Sequence, residues 1–125
     1  MKRNLFRLLV ELVALLSFCV SAFAHHGSAA YDMTKTLSLK GVVTSYEFVN
    51  PHAEIRVDVT DRSGNTVHWI AETNNPGRLV RRGWGRNTLK PGDVITIEGN
   101  QVKSGNPDLR LTKVTLADGT ELDPL

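Results

Sequence analysis

The sequence carries four histidines, and His25 and His26 stand together in SAFAHHGSAAYD, residues 21–32. Ala22-Phe23-Ala24 offers small residues at the two positions a signal peptidase reads, so cleavage after Ala24 would make His25 the first residue of the processed chain. An amino-terminal histidine chelates one metal ion through its α-amine and its ring Nδ1 in a six-membered ring. One further imidazole completes a histidine brace. That nitrogen-rich set suits Cu(II), which favours nitrogen in a tetragonal arrangement and tops the affinity order of the divalent ions. With an α-amine pKa of about 7.7–8, binding needs little deprotonation at neutral pH and weakens in acid. His26 is expected as a neighbouring ligand, or as the coordinating ring if His25 points elsewhere. The plainer reading is a polar pair at a terminus that frays, and a one-residue shift of the cleavage point would destroy the brace.

The candidate for the remaining imidazole is His52 in FVNPHAEI. Pro51 restricts the backbone and Asn50 can hold a turn, so His52 would be presented rigidly; its plainer role is a turn or surface histidine. His68, in VHWIA, alternates with Ile70 and Glu72 and is expected to look outward. A second constellation is RLVRRGWGRNTLK, where Arg78, Arg81, Arg82, Arg86 and Lys90 surround Trp84. With Trp69 it forms the alternative ligand face, for a glycan, an anionic small molecule or a protein partner, with Trp84 as stacking platform. The plainer reading is a solvated helix face with Trp84 packed on the domain. The carboxylates Glu47, Glu54, Glu72 and Glu98 can pair with these arginines or act in catalysis. There is no nucleophile elbow, metalloprotease helix motif or phosphate loop, so no catalytic residues are assigned.

The elements that must position these residues begin with a segment that leaves. Residues 1–24 hold Lys2, Arg3 and Arg7, an apolar run from Leu8 to Val20 and the small-residue cleavage site, the layout of a secretory signal peptide. As a membrane anchor the stretch is short, about 17 residues with Glu11 inside it. Phe18 is too bulky before Cys19 for a lipoprotein site. A soluble periplasmic protein without a stable membrane anchor is the expectation. Of 15 Lys+Arg and 13 Asp+Glu, processing removes Lys2, Arg3, Arg7 and Glu11, leaving 12 of each sign, so no global field argues for nucleic acid as partner. Cys19 leaves too, which excludes disulfides, thiolate ligands and a cysteine nucleophile in residues 25–125.

Residues 25–125 suffice for one small core and are read as a single domain. TLSLKGVVTSYEFV, EIRVDVTD and TVHWIAET read as three strands, the last two joined through DRSGN as a hairpin. In the first, the apolar phase slips around Gly41, from Leu37 and Leu39 to Val42, which suggests a bulge or tight bend. NNPGRLVRRGW breaks the pattern with an asparagine cap, Pro76 at the first helical position and Gly83 as a stop, the signature of one short helix. LKPGDVITIEG and LRLTKVTLADG add two strands. The order β-β-β-α-β-β, all-β with one short helix, is that of a small five-stranded OB-like barrel.

Together AHHGSAAYD, LKGVVTSYEFVNPHAEIRVDV, WIAETNNPGRLVRRGW and LKPGDVITIEG resemble a family of short exported proteins of Gram-negative bacteria classed as a domain of unknown function. Its recurrent elements match His25-His26-Gly27, Asn50-Pro51-His52, Trp69 and Glu72, Arg82-Gly83-Trp84 and the turn from Lys90 to Asp93. The resemblance spans nearly all of residues 25–125 and implies an exported β-barrel, with no activity to carry over.

The functional expectation is a protein that binds a transition metal, copper first, through His25, His52 and His26, for handling or delivery of the ion, with a periplasmic protein partner as receiver. The alternative is the metal-independent binding module. An oxidative copper enzyme ranks last, since nothing marks a substrate cleft.

Overall fold

The structure, a computed structural model, describes residues 27–125. The signal segment, Cys19, His25 and His26 lie outside the described residues. The chain forms β1 (Leu37–Glu47), β2 (Glu54–Thr60), β3 (Thr66–Glu72), α1 (Pro76–Arg81), β4 (Val94–Gln101), β5 (Asp108–Leu116) and a two-residue β6 (Glu121–Leu122), preceded by a 3-10 turn at Ser28–Ala30. The sheet order is β3-β2-β1-β4-β5-β6, and a parallel pairing of β3 with β5 closes the first five strands into a barrel. This is the OB-like arrangement the element order predicts, with β6 as an extra strand on β5.

Alternation builds the core. Ile55, Val57 and Val59 of β2 point inward and are buried, as do Ile95 and Ile97 of β4 and Leu109 and Leu111 of β5, while their neighbours face out. Leu79 of α1 plugs the barrel beside Trp84 and Leu89. The helix starts where the sequence indicated: the Asn75 side chain accepts from the Arg78 N–H at 3.0 Å, with Pro76 at its first position. The Arg82 and Gly83 N–H groups close its end on Leu79 and Val80 carbonyls.

The bend of β1 is real, but its parts are displaced from where the apolar slip suggested. Val42 faces out and Val43 faces in, so Leu39, Gly41 and Val43 hold one phase, and the bulge falls between Val43 and Ser45. Gly41 serves a different purpose. A Cβ there would overlap the Asp58 carbonyl and the Val57 side chain, so the missing side chain lets β1 and β2 approach where β1 passes from β4 to β2. Gly99 does the same between β4 and β5, where a Cβ would strike the Arg110 carbonyl.

Candidate functional site

His52 sits in the connection between β1 and β2, and the residue after it is clamped. Ala53 is fully buried, its N–H donates to the Asn74 carbonyl at 3.1 Å, and its carbonyl accepts from Thr73 at 3.0 Å. This clamp brings the imidazole over the end of β3, where His52 Nδ1 lies 2.5 Å from Glu72 Oε1. The other carboxylate oxygen, Oε2, accepts from the Tyr31 hydroxyl at 3.3 Å. Tyr31 is itself buried and fixed, because its backbone bridges to Val102 and Lys103 N–H donates to the Ala30 carbonyl at 2.9 Å.

One carboxylate thus organises two rings. The close approach leaves the second ring nitrogen, Nε2, as the one not facing Glu72. The Tyr31 phenol is pushed up to about 12, first by burial, then by the charges of Glu72 and Asp108 and the bond to Glu72, with Arg110 pulling the other way. It therefore stays protonated at neutral pH and remains the donor to Glu72.

The three side chains border a cavity of about 150 Å³ that also meets Thr73 and Arg110. Arg110 arrives through the barrel closure, being the register partner of Glu72 across the parallel β3–β5 seam. The charges of Glu72 and Asp108 reach the Tyr31 hydroxyl from one side of the balance and that of Arg110 from the other.

The other expected residues among those described are not drawn into this place. His68 faces out, with its side chain 80% exposed and Nδ1 at 2.6 Å from Asp58 Oδ1. Trp84 corrects the stacking-platform expectation: it is 3% exposed, packs on Tyr46, and its indole N–H donates to the Asp123 carbonyl at 3.1 Å, so it has no face to give a ligand. Trp69 is partly buried against the core. Arg78, Arg81 and Arg82 do share a cavity beside Leu125, and Arg82 pairs with Asp123 at 2.6 Å. Arg86 instead lies over the Phe48 ring at 6.0 Å.

Among the described residues no three His, Cys, Asp or Glu side chains converge as a complete metal site. His52 brings one imidazole to the cavity. Tyr31 and Arg110 were not singled out by sequence reasoning. Tyr31 carried only its closeness to His25, and Arg110 only its outward place in the alternation of β5.

The model of a family of unknown function matches residues 13–109, a stretch that takes in Tyr31, His52 and Glu72 and ends just before Arg110. No curated protein matches the chain.

Proposed function

The chain belongs to this family, DUF6152, whose function is unknown, and we propose that it is an exported, periplasmic metal-binding protein, with copper as the ion. In this reading the signal segment is removed after Ala24, and the His25 amine and ring chelate Cu(II). His52 Nε2 completes the brace, with His26 as a neighbouring ligand. The protein handles or delivers the ion, and a periplasmic partner receives it.

The observation that carries the reading is the 2.5 Å approach of His52 Nδ1 to Glu72 Oε1. A histidine that donates its second ring N–H to a carboxylate is the usual arrangement of a metal ligand, because the carboxylate fixes the tautomer and raises the basicity of the free nitrogen. Chain length is compatible as well. Tyr31, which borders the cavity, follows His25 by six residues, a stretch of at most about 3.3–3.6 Å per residue when extended. The metal-independent module keeps its arginine cavity, but loses the stacking surface with the burial of Trp84.

The test is a Cu(II) titration of the processed protein and of Glu72→Gln. Wild type is expected to take up one ion per chain. The amide cannot hold the imidazole as a carboxylate does, and affinity should drop about 10–100-fold. Equal affinity of the two proteins would remove His52 from the site.

A further inference from the structure

Three arginines meet round a second cavity. Arg78 and Arg81 of α1 and Arg82 at its C-cap stand at positions i, i+3 and i+4, the spacing that puts side chains on one helical face. With Leu125 they line a space of about 380 Å³. Its far wall is fixed. Asp123 accepts from Arg82 at 2.6 Å and from the Leu125 N–H at 2.8 Å, and its carbonyl accepts from the buried Trp84 indole at 3.1 Å. Asn74 donates to the Pro124 carbonyl at 2.7 Å. Arg82 is therefore held in place, whereas Arg78 and Arg81 have no carboxylate within ion-pair distance among the described residues.

Folding gains nothing from this arrangement. Like charges three and four residues apart on a helix repel one another, and the helix has no acidic residue in its first turn to offset them. Even counting a carboxylate on Leu125 beside that of Asp123, three positive charges face two negative ones. A local conflict of this kind, with no packing gain attached, points to a ligand. The donors describe it. Guanidinium forks match the oxygens of carboxylates and phosphates, and Arg82 keeps donors beyond the one it gives Asp123. A phosphoryl group brings three acceptor oxygens and a charge of about −1.5 to −2, one oxygen more than a carboxylate offers. The space has room for that group and part of whatever bears it. We infer that the cavity is a phosphoryl-binding site, in which Arg78 and Arg81 hold the charged oxygens and Arg82, anchored on Asp123, forms the third side. It goes beyond the copper site and needs no metal, so it stands whether or not His52 is a ligand.

The experiment takes the processed protein, kept metal-free by a chelator, and exchanges chloride for inorganic phosphate at constant ionic strength while amide and arginine Nε–H signals are followed by nuclear magnetic resonance. Wild type should respond saturably, with the shifts centred on α1 and residues 123–125. Arg78→Gln and Arg81→Gln should each weaken binding about three- to tenfold, as expected for one charge-assisted bond at an exposed site, and the double variant should lose saturation. Arg81→Lys should fall between, because it keeps charge without the fork. All these variants should melt like wild type, since Arg78 and Arg81 are exposed. Arg62→Gln, in the turn between β2 and β3, should bind phosphate like wild type. A second arm sediments the same proteins with vesicles of phosphatidylglycerol or of phosphatidylcholine. Retention on phosphatidylglycerol that needs Arg78 and Arg81 assigns the phosphoryl group to a lipid headgroup, and a phosphate response without retention assigns it to a soluble ligand. Shifts that chloride reproduces, binding that the double variant keeps in full, or no response in either arm overturns the inference.

Discussion

Replacing His52 by alanine should weaken Cu(II) binding to the processed protein by about 100-fold or more. Loss of a residue that merely orients a metal-bound histidine costs about 10–100-fold, and removing the ligating ring itself should cost at least as much. The change should leave folding almost untouched. The His52 side chain is 44% exposed and lies outside the core cluster, and such surface substitutions usually stay within about 0.5 kcal/mol. The two readouts separate a ligand from a structural histidine. Competition titration against a copper chelator measures the first and a thermal melt the second. Wild-type affinity in His52→Ala would assign the ion to other residues, and a large fall in melting temperature would make the His52–Glu72 bond a structural feature.

The second large effect is in the core beneath the same cavity. Leu111 is fully buried, next to Arg110 on β5 and opposite Gly99 of β4. Leu111→Ala removes buried methyl groups where the close β4–β5 approach at Gly99 leaves little freedom to collapse, so the cost should be about 2–5 kcal/mol. For a domain of this size that is a drop in melting temperature on the order of 10 °C or more. Copper affinity measured well below the melt should change much less than in His52→Ala, because Leu111 carries no donor atom. A melt within a few degrees of wild type would mean that the barrel relaxes around the cavity more freely than its packing indicates.

The barrel was legible because its signals are local. Ile55, Val57 and Val59 announce a half-buried strand by alternation alone, and Asn75-Pro76 announces a helix start by capping chemistry. The bulge in β1 was legible as an irregularity but not as a position. Val42 and Val43 are both apolar, and only the partner strands decide which one faces the core. Trp84 shows the same ambiguity in another form: a tryptophan among arginines reads equally as a platform or as a plug, and the Asp123 carbonyl that satisfies its N–H lies 39 residues away.

The site was legible in its histidine and hidden in its setting. His52 stood out by its Asn-Pro-His turn, but its partner Glu72 comes from the far end of the hairpin, beyond the reach of spacing rules. Tyr31 reaches that carboxylate across 41 residues, and Arg110 across the parallel seam that closes the barrel. A parallel β3–β5 contact has no signature in either strand, since it follows from how the twisted sheet curls round to meet itself. Of the four side chains that define the cavity chemistry, Tyr31 and Arg110 therefore became functional candidates only once the barrel was closed.

In the proposed site the processed amino terminus and His52 bind one copper ion together. The most direct measurement is a Cu(II) titration with electron paramagnetic resonance on two proteins, one verified by mass spectrometry to begin at His25 and one carrying a single extra residue before it. The account predicts a stoichiometric, axial, nitrogen-rich signal in the first that is lost or strongly changed in the second, because the extension turns the chelating amine into an amide. The same signal and affinity in both proteins, or only weak non-stoichiometric binding in the first, would contradict it.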